Sequence, residues 1–443
     1  MLIQFSFSNY KSFKDKAVLK LTASNYDKDT REGENIMFEK SMALRLLKST
    51  VVFGANASGK SKFSDAFVFF VNFILESSRE STKSDPIRIE NFSFNTQSRV
   101  APSEFEIVFI QEGVRYRYGF EATRKEIISE WLYYRPKSKE IELFYRDGQH
   151  ILPNEKLMPV AKTLHAQGLV RGNALLLSVL GQFNDQIAGK IIDYMRSINC
   201  ISGLNEMQYK RNAIEKVKED SEHQAQILKL IQAADLGIED IRYEDLLPFI
   251  KRHEPSFEKF LEFKDMMEEL DPHMLSTIRT RHKVYDENNQ EVESTELSMQ
   301  NDESDGTQKY FFLTGLILDS LEKGTLLFVD ELDSKLHPNL VCKIVSMFNS
   351  KLTNPKGAQL VFNSHDTNLL SSGLFRRDQV WFIEKDRYGA STMFSLADFK
   401  TSTVRKKELF EENYVRGKYG AIPFLGEFDR IVEMMFTEDG KAE

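Results

Sequence analysis

Along the first 23 residues apolar and polar positions alternate, with Ile3, Phe5 and Phe7 followed by Ala17, Leu19 and Leu21. A period of two marks a strand with one buried face, so the pattern predicts two strands joined through the polar NYKSFKDK segment. A charged loop is expected from about 24 to 40, then a buried strand over Leu46–Phe53 and a phenylalanine-rich helix over Ser61–Ser77, with Gly54–Lys60 between them. From Asn91 to Gln149 the runs FEIVFI, VRYRYGFEA, WLYY and ELFY are divided by Glu112-Gly113 and Asp147-Gly148, which predicts an antiparallel meander beside the glycine-loop core. Residues 155–275 turn to helical spacing: Leu175, Val179, Leu180, Phe183, Ile187, Ile191, Met195 and Ile198 share one face, and Glu206–Asp235 is strongly charged. No heptad is sustained long enough for an extended coiled coil. A strand–turn–strand is expected from Ile278 to Leu297 about Asn288-Asn289. Beyond residue 300 helices near 307–321 and 339–350 alternate with strands Leu326–Val329 and Gln359–Phe362, and a strand pair Val380–Glu384 and Ser391–Leu396 follows. That alternation is α/β.

At 443 residues, 41% hydrophobic and 28% charged, the chain can bury one large domain with an insertion, or two modest ones. The pattern divides it into an N-terminal lobe (1–154), a helical insertion (155–277), a C-terminal lobe (278–400) and a basic, aromatic tail (401–443). A net charge of −8 gives no overall attraction to nucleic acid or anionic membranes, so any such contact must be local. Cys200 and Cys342 are far apart and lack CxxC spacing, which argues against a disulfide framework or a cysteine-rich zinc site and suits a reducing cytoplasm. The N-terminus lacks the charge and apolar pattern of a signal peptide. Phe63–Leu75, the most apolar stretch, is too short to span a bilayer and carries Asp65 and Asn72. A soluble cytoplasmic protein without membrane association is the expectation.

The strongest local signal is GANASGKS, Gly54–Ser61, which fits GxxxxGK[ST] between a predicted strand and a predicted helix. Gly54, Asn56, Gly59, Lys60, Ser61 and Lys62 form the expected phosphate cradle, with Lys60 reaching the β- and γ-phosphates of ATP. A chance glycine-rich turn would not come with both flanking elements. The apolar strand of LLFVDE ends in Asp330 and Glu331. Asp330 would join the Ser61 hydroxyl in holding Mg²⁺, and Glu331 would polarise the attacking water as catalytic base. ESDGTQK places Ser304 and Gly306 at a helix start, where an N-terminus can bind a γ-phosphate presented by another subunit. LDSKLHP follows the carboxylates, and NSHD then sets His365 at a strand end, placed for a γ-phosphate contact.

This order of P-loop, signature loop, Walker B acid with following glutamate, D-loop and switch histidine resembles the ABC ATPase superfamily. FSNYKSF and the wide gap between P-loop and signature resemble its RecF/SMC branch. In closer detail FSNYKSF, GANASGKS, PSEFEIVFI, RYRYGFE, ISEWLYY, ESDGTQK, VDELDSKLHP and FNSHDTNLL are similar to bacterial RloA/AbiL-type ATP-binding proteins, ATPases associated with phage defence that often accompany a separate effector. The resemblance implies a P-loop NTPase fold with an ABC/SMC-like head, an antiparallel β-subdomain and an inserted helical region. It also implies a homodimer that hydrolyses ATP with Mg²⁺. Lys11 and Ser12 become candidate nucleotide contacts, and Asp333 and Ser334 the D-loop groups facing the partner. The signature departs from the common LSGGQ form in carrying Asp305, a carboxylate that is unfavourable beside a triphosphate unless it points away. Gln97 is the nearest candidate for a Q-loop glutamine.

In the tail, Arg405, Lys406, Lys407, Arg416 and Lys418 mix with Tyr414 and Tyr419, but also with Glu408, Glu411 and Glu412. Nucleic-acid binding, partner docking and a solvated helix face all stay open there. Two functions emerge: an ATP-dependent sensor or regulator of a separate effector, a nuclease among the candidates, in antiphage defence; or a RecF/SMC-like DNA-repair or chromosome-associated ATPase. A transporter subunit fits less well, given the large insertion and the FSNYKSF element.

Overall fold

The structure, a computed structural model, describes residues 1–25, 30–79, 85–201, 206–219, 221–234, 236–253, 276–399 and 409–423, with a few isolated positions besides. A six-stranded sheet forms its centre, in the order Asn199–Ile201, Leu326–Val329, Gln359–Asn363, Ser49–Phe53, Val380–Lys385 and Ser391–Ser395. The first five strands run parallel and the last is antiparallel. Ser49–Phe53 and Gln359–Asn363 are buried throughout because helices cover both faces of a parallel sheet, and their sequences are accordingly near-continuous apolar runs. The C-terminal strand ends carry the P-loop, Asp330 and Asn363, where open α/β sheets place their ligands.

The expected meander forms, as Ser103–Gln111, Val114–Ala122, Ile127–Arg135 and Ile141–Asp147, with His150–Pro153 added at its outer edge. It is not a separate sheet: Ser103–Gln111 pairs with Leu2–Ser8, which pairs with Ala17–Lys20, so the N-terminal hairpin and the meander make one seven-stranded antiparallel sheet. Helix Lys60–Glu76 is wedged between the two sheets through its aromatic rows. Phe67 stacks on Phe328 of the parallel sheet at 4.7 Å and meets Phe5 edge-on at 5.0 Å, while Phe70 stacks on Phe120 at 5.7 Å. Gln359 ties the sheets directly, accepting from Leu2 N at 2.6 Å and donating to Leu2 O and Leu47 O.

The structure departs from the apolar pattern in several places. Leu46–Phe53 is two strands, because Leu44–Leu47 pairs with Ile36–Glu39 in a small sheet of its own before Ser49–Phe53 enters the centre. Lys48, between them, is buried and donates to Asn349 O at 2.9 Å. The loop expected at 24–40 contains a helical turn, Glu32–Asn35, as well as that strand. The single helical face from Leu175 to Ile198 is two helices, Leu176–Gln182 and Gln186–Ser197. They are broken where Asn184 turns to φ 56° and Asp185 caps the second by accepting from Ile187 N and Ala188 N. Phe183 is left exposed at the break.

Residues 155–277 are also more than a helical insertion. Asn199–Ile201 is a strand of the central sheet beside Leu326–Val329, and Asp240–Asp245 pairs with Ser276–Tyr285, itself paired with Glu291–Ser298. Helices Glu206–Glu219 and Ser221–Ala233 share a core with helix Asp305–Lys323, through Ala213, Ile214 and Ile231 against Phe311 and Phe312. Within the meander a fully buried pair, Glu130 and Arg146 at 3.3 Å, organises helix Leu176–Gln182. The Glu130 carboxylate accepts from Leu176 N at 2.7 Å and Leu177 N at 2.9 Å, capping helix Leu176–Gln182 from another element. Among the described residues no helix is long and apolar enough to cross a membrane.

Candidate functional site

The turn from strand Ser49–Phe53 into helix Lys60–Glu76 is packed so closely that its glycines cannot be replaced. A Cβ on Gly54 would stand 2.4 Å from Ile383 O, and one on Gly59 2.5 Å from Ser391 Oγ and 2.8 Å from Ser12 Oγ. Gly59 also adopts φ 117°, a conformation open to glycine and few others. Lys60 heads the helix, is 5% exposed, and folds back to donate to Gly54 O at 2.6 Å and Ala55 O at 3.0 Å. Burial lowers its ammonium pKa to about 8, although Glu331, Asp333 and Asp330 pull the other way. Asn56 is exposed on the turn, Ser61 is half-buried on the first helical turn, and the exposed Lys62 lies 3.3 Å from Asp65.

Asp330 meets this loop from the end of strand Leu326–Val329, two strands away in the sheet. Its Oδ1 accepts from Asn363 Nδ2 at 2.6 Å and Ser64 Oγ at 3.0 Å. Burial raises its carboxyl pKa, against the lowering effect of the Asn363 and Ser64 hydrogen bonds. Asn363 was not singled out by the sequence, yet it joins three elements, donating also to Ser64 Oγ at 2.7 Å and Lys60 O at 3.1 Å. Its only sequence signal is a polar residue closing an otherwise apolar buried strand. Glu331 follows at φ 55°, half-exposed, with its Oε1 3.7 Å from His365 Nε2. Asp333 Oδ2 accepts from His365 N at 2.9 Å and Asp366 N at 3.0 Å, so this acid holds the turn that carries the histidine.

Ser304 is the N-cap of helix Asp305–Lys323, accepting from Thr307 N. Both Ser304 and Asp305 are exposed. A Cβ on Gly306 would lie 2.7 Å from Lys335 O, so only glycine allows the helix start to approach the loop after Glu331 this closely. Lys309, one turn on, donates to Glu331 O at 2.6 Å and Ser334 O at 2.7 Å. Helix Asp305–Lys323 is thus bound to the loop that carries Glu331.

The remaining candidates divide. Ser12 lies beside Gly59 and is hydrogen-bonded with Ser391, so it borders the P-loop. Lys11 is ion-paired instead, 2.6 Å from Asp65 and 3.7 Å from Glu90. Gln97 is exposed on a loop whose main-chain carbonyls at Ser98 and Ala101 are gripped by Asn9. The tail does not offer a stacking platform at Tyr414 and Tyr419: both rings are buried against Phe382, at 5.1 and 5.9 Å. Arg405, Lys406 and Lys407 lie outside the described residues.

The residues fit a magnesium–triphosphate group. Among the described residues Ser58 Oγ, Asn363 Oδ1 and Asp333 Oδ1 are buried without a hydrogen-bond partner, a concentration of unmet polar groups around one cradle that is typical of a ligand site. A family model described as "AAA domain, putative AbiEii toxin, Type IV TA system" matches residues 49–371, from the first residue of the P-loop strand to beyond His365. No curated protein matches the chain.

Proposed function

The chain belongs to that AAA-domain family of P-loop ATPases, and from this premise we propose that it is an ATP-hydrolysing switch with an ABC/SMC-like head, in which two copies close on nucleotide. The observation that carries this reading is the contrast between a convergent cluster of residues and an open helix start. Lys60, Asp330, Glu331 and His365 converge at the ends of adjacent strands. Ser304, by contrast, caps a long helix whose start is open to solvent, where a second copy can bring its triphosphate.

Within each copy the P-loop amides and Lys60 bind the phosphates, and Asp330 with Ser61 would hold Mg²⁺, which when bound neutralises phosphate charge. Asn363 and Ser64 fix the Asp330 carboxylate, so it need not reorganise on binding. Glu331 would accept a proton from the attacking water, and His365, held by Asp333 and 3.7 Å from Glu331, would donate to the γ-phosphate. Gly306 and Ser304 of the second copy complete the site.

Glu331→Gln keeps the shape of the side chain and removes the base. It is expected to bind ATP, fail to hydrolyse it and accumulate as a dimer, read by light scattering after size exclusion, whereas Lys60→Ala stays monomeric. A Glu331→Gln protein that remains monomeric at saturating ATP and Mg²⁺ overturns the composite site. At the biological level the switch governs a separate effector in antiphage defence. Support comes from the likeness to RloA/AbiL-type proteins and from a family description that names a toxin–antitoxin system. Loss of phage protection in a Glu331→Gln strain tests this, and protection at the wild-type level contradicts it.

A further inference from the structure

Asp305 is the first residue of helix Asp305–Lys323, and its carboxylate is 70% exposed at the half-site assigned to a partner's triphosphate. A carboxylate there is favoured by the helix's own amides but repels an arriving phosphate. The structure supplies a countercharge from a different element, because Lys335 Nζ of the D-loop lies 3.0 Å from Asp305 Oδ2. The backbone that carries this lysine is fixed by its surroundings. Lys335 adopts φ 62°, unusual for a residue with a side chain, and its carbonyl abuts Gly306. The preceding carbonyl, Ser334 O, is held by Lys309. Lys335 shares with Ser304, Gly306, His337 and Lys343 the lining of a cleft of about 360 Å³ at this helix start.

Resting on the reading of Ser304–Gly306 as the trans half-site, we propose that Lys335 is a positioning residue of that half-site. It compensates Asp305, so that the helix N-terminus meets the partner copy's triphosphate without net repulsion. An exposed ion pair adds little to fold stability. A charge fixed beside a triphosphate, once dimer closure excludes water, counts for much more. The acid-bearing signature is therefore competent only with this lysine, and the pair sets how readily the dimer is activated.

The test measures ATP hydrolysis and ATP-driven dimerisation for Lys335→Ala, Asp305→Asn, the double variant and Ser304→Ala, with thermal midpoints recorded. Lys335→Ala is expected to lower kcat about tenfold and to raise the ATP concentration needed for half-maximal dimerisation. Adding Asp305→Asn to it is expected to bring both back to within about threefold of wild type, which a merely structural lysine would not allow. Lys335→Gln, which keeps the side-chain length, replaces the alanine variant if that one melts early. Rates within about twofold of wild type for Lys335→Ala, or no recovery in the double variant, overturn the inference even if Ser304→Ala abolishes dimerisation. If Ser304→Ala dimerises normally with ATP, the trans half-site itself is refuted, and the role of Lys335 with it.

Discussion

The P-loop lysine shows how a single residue sets a pH response. With its pKa lowered by burial from 10.5 to about 8, Lys60 is an ammonium in the free protein below that pH and increasingly neutral above it. Bound phosphates favour the charged form, so binding raises the pKa, and above pH 8 the complex must take up a proton. ATP affinity is therefore expected to be flat below pH about 8 and to fall by up to about tenfold per pH unit above it. Calorimetric titration in buffers of different ionisation enthalpy checks this, and a pH-independent affinity up to 9.5 would refute it. The effect on folding has its own sign. Because the folded pKa lies below the unfolded one, the burial penalty is complete below about 8 and is relieved as pH rises from there towards 10.5. At this scale the motif residues were legible, since a P-loop is a contiguous stretch. Asn363 was not, since its role comes from three elements that meet only in space.

Among the elements, helix Leu176–Gln182 depends on a carboxylate from the meander. Leu176 N and Leu177 N donate to different oxygens of Glu130, so Glu130→Gln would turn its NH₂ towards one of these two amides, which needs an acceptor, and would leave Arg146 buried without its charge partner. Breaking a buried pair on one side costs about 3–5 kcal/mol. The urea midpoint is expected to fall accordingly, and a loss under about 1 kcal/mol would show that the pair does not anchor the helix. Periodicity found most strands and helices here, because burial on one face imposes it. It missed the break at Asn184, where a left-handed residue interrupts an apolar face that continues through both helices. It also missed the split at Lys48, a polar residue whose buried amine is satisfied by Asn349 O, far along the chain.

For the whole molecule the balance of charge decides which partners are reached by electrostatics alone. A net charge of −8, with Tyr414 and Tyr419 buried, gives no general footprint for nucleic acid. Duplex DNA at physiological salt is expected to change the ATPase rate by less than about twofold. Strong stimulation in an enzyme-coupled assay would instead favour a DNA-repair or chromosome-associated role. The division of the chain also looks different at this scale. Strand Asn199–Ile201 lies within a stretch that reads as helical, yet it flanks the strand leading to Asp330, and Asp330 N donates to Ile201 O at 2.7 Å.

What the sequence determined by itself is whatever its chemistry makes contiguous: the P-loop, the paired carboxylates after an apolar strand, the short polar segments around Ser304 and His365, and the alternation that builds each strand. Each needs only neighbouring residues, so each can be read from spacing. The tertiary structure decided which distant groups complete them. It merged hairpin and meander through one pairing, set Asn363 on Asp330, tied Lys11 to Asp65, and brought Lys335 to the acid at Asp305. Such contacts follow from how sheets and helices stack, and nothing in the local pattern of a chain records which distant residue will arrive.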